Sequence, residues 1–314
     1  MRRLELLIEE IRRSTDNEDT SGISDLDIVQ YLNDAQDRIQ SRIASQFPNV
    51  FFTQTTIDLV ASQEAYDLPT DIYLGTRIAN LEYLYSETSN DYAQLPSKTL
   101  ADRSTSYESD FPAFYIRRNN DILINPIPQV ARTDGLRLTY QHKLRTLDIR
   151  RGEISSASKT GTTLNSLTLD LTPTLTKDSG VVAAASDVLN KIDYISVVDR
   201  DGVNVLKNIP IDSYNSSTGV VTVTSGFTTT VDASTFVGEY VVGGTNATSH
   251  SDLFDVCERY LIVYAKLKLL ERDGNQLEAN YQIGELREIE KDIIESYQVP
   301  EEDRLILPID IDWN

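Results

Sequence analysis

The residues that could carry chemistry are few and far apart in this sequence. The imidazoles are His142 and His250, and the single thiol is Cys257. A hydroxyl nucleophile activated by histidine would have to use one of those two imidazoles, and a zinc site needs several clustered thiolate or imidazole ligands. The phosphate-loop, G-x-S-x-G, H-E-x-x-H and C-x-x-C motifs do not occur. We therefore predict no catalytic residue, no metal site, no cofactor and no enzymatic activity.

Two weaker patterns leave alternatives open. The 49 acidic side chains could include a carboxylate pair for glycoside hydrolysis, but no two of them are singled out by the sequence. Residues 199–204, Asp-Arg-Asp-Gly-Val-Asn, are similar to the start of a calcium-binding loop, although the rest of that pattern is missing. The same residues suit the Asp-Gly turn of a β-hairpin from Val197 to Leu206, which is the interpretation that we favour.

Composition and charge narrow the class of protein. The chain has 314 residues, 49 acidic against 29 basic side chains and a formal net charge of −20. One cysteine permits no intramolecular disulfide, the start is charged rather than signal-like, and no window approaches the roughly 18 apolar residues of a membrane span. We expect a soluble protein of the cell interior, or of an assembly built there, without membrane contact. Its acidity disfavours tight binding of duplex nucleic acid.

Helical spacing marks both ends of the chain. Apolar residues recur every three or four positions from Leu4 to Ile11 and from Ile28 to Ile43, and Ser24 is placed to cap the second helix. The same spacing returns from Asp252 to Arg272 and from Leu277 to Tyr297, with an Asp-Gly stop between them. We predict that the N-terminal and C-terminal helix pairs pack as one antiparallel helical bundle.

Strand-like segments fill the sequence between the helix pairs. Short alternating segments from Phe51 to Tyr140 predict a β-strand body, and residues 151–250 are rich in Ser and Thr with β-branched runs. The predicted fold class is therefore α+β: a helical bundle, a β body and an inserted all-β domain. The predicted domains are residues 1–150 (helices and β body), 151–250 (inserted domain), 251–299 (second helix pair) and 300–314 (an extended C-terminal arm).

The C-terminal arm is the most unusual segment. Its residues 305–313 form a largely apolar, proline-containing stretch that ends with the protein's single tryptophan. It could be a strand that packs on its own domain, or an extended arm that docks on another chain by backbone pairing, with an aromatic anchor. We favour the second interpretation. The predicted partner-binding residues, toward a portal or a neighbouring subunit, are Leu305, Ile306, Leu307, Pro308, Ile309, Ile311 and Trp313.

The order of several motifs resembles a known family. These motifs are Tyr31-Leu-Asn-Asp-Ala-Gln-Asp-Arg-Ile39, Phe47-Pro48, the Phe51–Val60 strand, Ala65-Tyr-Asp-Leu-Pro69 with Asp71, Phe114-Tyr-Ile116, Ile122-Leu-Ile-Asn-Pro-Ile-Pro128, Leu136-Arg-Leu-Thr-Tyr140, Val263-Tyr-Ala-Lys-Leu-Lys-Leu-Leu-Glu-Arg-Asp-Gly274 and Tyr281. Together they look like the head-to-tail connector, or adaptor, proteins of tailed bacteriophages. The inserted region, 151–250, departs from the compact members of that family.

The resemblance implies a structural virion protein. Such adaptors assemble as a ring beneath the portal, usually with about twelve subunits (a dodecamer). The ring joins the capsid to the tail and continues the channel for DNA. The implied partners are the portal protein, further copies of the chain, and the tail nozzle or tube. From its position and composition, we expect the inserted domain to project outward as a platform for fibre, spike or other neck proteins. DNA would pass through the lumen without specific binding. The implied location is the neck of the virion, after assembly in the host cytoplasm.

A second class of function stays open at this point. The inserted domain could be a carbohydrate- or protein-binding attachment module of a virion tail or cell surface, carried on a helical stalk. Carbohydrate binding favours aromatic side chains along a groove, and residues 151–250 contain five: Tyr194, Tyr214, Phe227, Phe236 and Tyr240. A wall-degrading virion enzyme is the third alternative.

Overall fold

The computed structural model describes residues 2–15, 22–47, 50–75, 77–86, 90–103, 108–171, 189 and 192–297. The fold is mixed α+β, as predicted. Its contacts divide the chain into two compact units, one made of Met1–Arg42 with Arg145–Asn314 and the other of Ile43–Leu144. No helix in the described residues has a long enough apolar run to cross a bilayer.

Two amphipathic helices open the chain, α1 (Leu4–Ser14) and α2 (Asp25–Gln46). Their apolar stripes are fully buried, as the helical spacing requires. Ser24 caps α2 as predicted: the Asp27 amide donates to Ser24 Oγ at 3.2 Å, and the Ser24 amide donates to Asp27 Oδ2 at 3.0 Å. The Ser24 hydroxyl also donates to Asp27 Oδ2 at 2.8 Å, and this bond, with the one from the Ser24 amide, lowers the pKa of Asp27.

In its described residues, the second unit has ten strands. They are β1 (Phe52–Leu59), β2 (Ala65–Asp67), β3 (Ile78–Ser86), β4 (Asp91–Gln94), β5 (Ser97–Lys98), β6 (Glu108–Ser109), β7 (Phe114–Arg118), β8 (Asp121–Asn125), β9 (Ile127–Pro128) and β10 (Arg132–Gln141). One sheet has the order β1-β10-β3-β4 and another the order β2-β8-β7-β5, while β6 pairs with β9. A single apolar cluster takes residues from both four-stranded sheets, including Leu81, Leu138 and Ile124, so the sheets share one core.

The sequence after residue 145 forms a closed barrel between two short pairing strands. The strands are β11 (Thr146–Leu147), β12 (Gly152–Thr160), β13 (Thr163–Leu169), β14 (Tyr194–Val198), β15 (Asn204–Asn215), β16 (Val220–Val223), β17 (Tyr240–Gly243) and β18 (Ala247–Thr248). The barrel order is β12-β13-β16-β15-β14-β17, and β11 pairs with β18 in parallel. Leu167, Val221 and Phe236 are fully buried within the barrel. Closure leaves this sheet without an exposed edge.

Two long helices follow the barrel, α3 (Asp255–Arg272) and α4 (Gln276–Tyr297). The predicted Asp-Gly stop is confirmed, with Gly274 in the left-handed region at φ 74° and the Asn275 amide bonded to the Leu270 carbonyl. Helix α3 packs against both α4 and α1. Helix α2 contacts α4 through a 2.6 Å ion pair between Arg42 and Glu290.

Replacing the α2 cap tests the capping arrangement. We expect Ser24→Ala to lower the free energy of unfolding by about 1 kcal/mol, because the Asp27 amide loses its side-chain acceptor. Ser14→Ala is a matched control, since the Ser14 hydroxyl only donates to the Ile11 carbonyl at the far end of α1. Denaturant unfolding of both variants makes the comparison. Equal stability of the two variants would contradict this role for Ser24.

Candidate functional site at the junction of barrel and helices

Two chain segments flank the barrel, one after the second unit in sequence and one before α3, and they run side by side. We call residues 145–151 and 246–252 together the junction. The Thr146 amide donates to the Asn246 carbonyl at 3.1 Å, and the Asp148 amide donates to the Thr248 carbonyl at 2.9 Å. The start of α1 joins them, because the Leu4 amide donates to the Ser249 carbonyl at 3.0 Å. The entrance and exit of the barrel are therefore held together by backbone hydrogen bonds.

The Arg145 guanidinium connects two parts of the first unit, the segment before α3 and the β14–β15 hairpin. Its Nε lies 2.8 Å from Asp252 Oδ2, and its Nη2 also bonds to Asp252 Oδ1, three residues before α3 begins. Its Nη1 donates to the Gly202 carbonyl at 2.7 Å and to Asn204 Oδ1 at 2.8 Å, in the β14–β15 hairpin. Both members of the Arg145–Asp252 pair are only 20% exposed. A partly buried bidentate pair of this kind fixes orientation as well as distance.

Arg150 is among the most deeply buried large side chains of the protein. It is 1% exposed, donates to the Arg200 carbonyl at 2.6 Å, and its guanidinium carbon lies 4.2 Å from the centre of the Tyr240 ring. Burial lowers the Arg150 pKa, and the nearby Glu5 carboxylate of α1 opposes that shift. Arg150 therefore contacts the hairpin and the last barrel strand together.

Arg151 forms a second buried ion pair at the mouth of the barrel. Its Nε and Nη2 lie 2.9 Å and 2.6 Å from the two oxygens of Asp148. Asp148 Oδ2 also accepts the Gly243 amide at 2.6 Å, which brings in the end of β17. Burial raises the Asp148 pKa, while the Arg151 pair opposes that rise. Removing either partner would leave an uncompensated charge in the interior.

Two amide side chains on α2 hold the first junction segment. Asn33 donates to the Leu147 carbonyl at 2.9 Å and accepts the Leu147 amide at 2.8 Å. Gln36 donates to the Arg145 carbonyl at 2.8 Å and accepts the Ser251 hydroxyl at 3.3 Å. Both residues belong to the Tyr31–Ile39 motif that carries the family resemblance. Their spacing of three places them on one helix face, which is the sequence signal that could have indicated this contact.

His250 lies inside the junction and has the environment of a structural histidine. It is 6% exposed, and its Nδ1 lies 3.1 Å from Ser249 Oγ. A Cβ atom at Gly202 would clash with the imidazole, so the glycine allows the hairpin to approach the ring. Burial lowers the His250 pKa to about 4, with Arg150 and Arg3 adding in the same direction. The side chain is therefore neutral at neutral pH.

The structure keeps the other chemistry-bearing residues apart. His142 lies in the second unit, where its ring contacts Phe51 edge-on with centroids 6.4 Å apart. Asp199 Oδ1 accepts the Asp201 and Val203 amides at 2.9 Å and 2.8 Å, and so stabilises the turn of the predicted hairpin. Within the described residues, no group of three or more His, Cys, Asp or Glu side chains is arranged to hold a metal ion.

The five aromatic residues of the inserted domain do not form an exposed groove. Tyr214, Phe236 and Tyr240 are at most 6% exposed, and Phe227 packs against the barrel core, which leaves Tyr194 at 43% exposure. The predicted partner-binding residues Leu305 to Trp313 lie outside the described residues, so their assignment stays a prediction.

The most elaborate polar arrangement among the described residues joins the barrel to the helices. In comparison with known families, residues 2–150 match the model described as SU10 adaptor protein. The match confirms, over these residues, the resemblance to bacteriophage head-to-tail adaptors and indicates a structural component of the virion. No curated protein matches the chain.

Arg145→Ala tests the importance of the junction for stability. We expect it to lower the free energy of unfolding by about 2 to 3 kcal/mol, because Asp252 is left without its cation and the hairpin loses two hydrogen bonds. Arg13→Ala removes an exposed pair with Glu9 on α1 and should cost no more than about 0.5 kcal/mol. Denaturant unfolding measures both. Similar losses in the two variants would show that the Arg145 contacts are not special.

The pH dependence of unfolding tests the position of His250. In the unfolded chain the His250 imidazole has a pKa near its usual 6.5, whereas in the folded chain its pKa is about 4. Between these two pH values the unfolded chain therefore binds a proton that the folded chain does not bind. The free energy of unfolding should therefore fall through this window as the pH falls, with a contribution from His250 of about 1 to 3 kcal/mol.

His250→Gln is the matched comparison for that measurement. Burial raises the pKa of Asp148 and Glu239, which gives contributions of the opposite sign in acid, but both carboxylates are present in both proteins. The difference between the two stability curves therefore isolates His250. Identical slopes for the wild type and the variant from pH 7 to pH 4 would contradict a depressed histidine pKa.

Proposed function

We propose that the protein is a head-to-tail adaptor that forms a ring beneath the portal, joins the capsid to the tail and continues the DNA channel. The match of residues 2–150 to the SU10 adaptor protein family carries this proposal. The partners are the portal protein, further copies of the chain in a ring of about twelve, and the tail nozzle or tube. Assembly takes place in the host cytoplasm, before the protein joins the neck of the virion.

The proposed base of each subunit is a bundle of the two helix pairs. The contacts of α3 with α1 and α4, and the Arg42–Glu290 pair, support such packing. In this arrangement residues 1–150 and 251–299 act together, the inserted domain 151–250 projects from them, and residues 300–314 leave as an arm.

Helix α4 has an acidic face that suits a channel through which DNA passes. Glu285, Glu288, Asp292 and Glu295 recur every three or four residues, and the last three are exposed. Glu285 pairs with Arg259 at 2.7 Å and Glu295 with Lys291 at 3.5 Å, so the repulsion comes mainly from Glu288 and Asp292. Phosphates are repelled by such a surface, so DNA would slide past it without adhering. We propose that this face lines part of the channel. A ring structure with a basic lumen would contradict that assignment.

The barrel is the proposed platform for fibre, spike or other neck proteins. Its attachment through the junction holds it in a fixed orientation on the helices, as a platform requires. Electron microscopy of particles with a bulky label on the barrel surface should place that label on the outside of the neck. Labels that point into the channel would contradict the proposal.

The alternative function is an attachment module that binds carbohydrate or protein through the barrel. Its carbohydrate form has weak support, because three of the five aromatic side chains of the inserted domain are buried. Stacking on a sugar requires exposed ring faces. A chain that bound glycans without portal association would favour this alternative.

Mass measurement with portal rings tests the proposed function. We expect the full chain to be a monomer of 35.3 kDa alone and to join portal rings of the same virus in about twelve copies. A version that ends at Pro300 should lose this association, because it lacks the apolar arm. Thermal unfolding of both proteins controls for folding. A folded full-length chain that never joins portal would overturn the proposal.

A further inference from the structure

One long strand of the second unit has a free side. Strand β1 ends its sheet and pairs with β10, with Thr53 opposite Tyr140, Thr55 opposite Leu138 and Ile57 opposite Leu136. In the described part of the chain, no strand pairs with its other edge. Its eight residues contain no lysine, arginine or proline, the residues that commonly protect such edges. The edge is therefore open to an additional strand.

The core beneath this edge is incompletely covered. Leu136, Leu138 and Tyr140 on β10 are at most 4% exposed. Their partners Thr53, Thr55 and Ile57 share the same face of the sheet but are only partly buried. A further strand with an apolar inner face would cover them and extend the core.

The C-terminal arm has the matching sequence pattern. Positions 305, 307, 309, 311 and 313 are Leu, Leu, Ile, Ile and Trp, whereas positions 306, 308, 310 and 312 are Ile, Pro, Asp and Asp. This period of two gives a strand one fully apolar face and one face on which two of the four residues are acidic. Nine residues match the eight of β1 in length. Pro308 is compatible with an outermost strand, where one amide faces away from the sheet.

We propose that residues 305–313 of one copy add as a strand beside β1 of a neighbouring copy. The apolar positions continue the inner face marked by Ile57, and Asp310 and Asp312 lie on the solvent face with Gln54 and Thr56. The arm and the β1 edge are different surfaces of the same chain, so the contact repeats from copy to copy. This inference rests on the proposed ring and names the contact that links its subunits.

Disulfide trapping between two full-length variants tests the contact. One carries Thr56→Cys on β1, and the other carries Asp310→Cys in the arm, while the native Cys257 is buried. We expect mild oxidation of the mixture to give covalent dimers at least ten times more abundantly than a mixture of Gln94→Cys with Asp310→Cys. Gln94 is the matched control, because it is exposed on β4 at the opposite edge of the same sheet.

A chain with both Thr56→Cys and Asp310→Cys distinguishes the source of the arm. Docking between copies should give a ladder of covalent multimers. Closure within single chains, or equal trapping at Gln94→Cys, would overturn the proposal.

The alternation of the two faces along the arm supplies a second test, in which the same substitution is made on each face. Ile309→Asp places a charge on the apolar face, whereas Ile306→Asp places it on the other face. We expect Ile309→Asp, added to the Asp310→Cys chain, to reduce trapping at least tenfold and Ile306→Asp to leave it largely unchanged. Equal effects would show that the arm does not bind as a strand in this register.

Portal binding separates this inference from the proposed function. Rings that form on portal without Thr56–Asp310 trapping would overturn the strand addition and leave the adaptor function standing. Trapping between copies that never join portal would overturn the adaptor function and leave the strand addition standing. All trapping reactions are therefore run both with and without portal rings.

Discussion

Three arginine side chains between helix and barrel must each keep a partner, and the first unit is organised around that requirement. A buried guanidinium without a carboxylate or carbonyl would cost several kcal/mol, so an alternative barrel orientation has to replace the hairpin bonds to Arg145 and Arg150. Arg145 bonds to the β14–β15 hairpin and to Asp252, three residues before α3. Arg150 contacts the hairpin and Tyr240 of the last barrel strand, and Arg151 bonds to Asp148, which also accepts the Gly243 amide. Such pairs contribute modestly to net stability, but they disfavour misorientation strongly.

This constraint suits a protein that connects other proteins. A connector holds other proteins in fixed positions, so the modules within each of its units need a fixed relative orientation. The junction supplies it through polar contacts that stay unchanged at neutral pH, since His250 is already neutral and packed against Gly202. The match over residues 2–150 ends where the barrel begins, so the adaptor region and the barrel meet at these arginines.

Local physics made much of the fold predictable. Helix spacing, the Ser24 cap, the Asp-Gly stop and the β14–β15 hairpin depend on residues close in sequence, and the structure confirms them. Strand β12 was missed because Gly-Glu-Ile-Ser-Ser-Ala-Ser lacks apolar alternation and is stabilised by barrel closure. The junction was not predicted, because it depends on contacts between residues far apart in sequence, some separated by more than 100 positions, such as Arg145 with Asp252 or Asn33 with Leu147. No period within a sequence reports such a distance.

The parallel pairing of β11 with β18 brings the two ends of the barrel next to each other. A module whose ends adjoin can be gained, lost or exchanged by recombination without stretching the rest of the chain. The arginines restrict that freedom, because a replacement module must present a carbonyl and an amide oxygen to Arg145 where Gly202 and Asn204 now do. Evolution could vary the barrel surface widely, but a transferable barrel has to bring its hairpin with it.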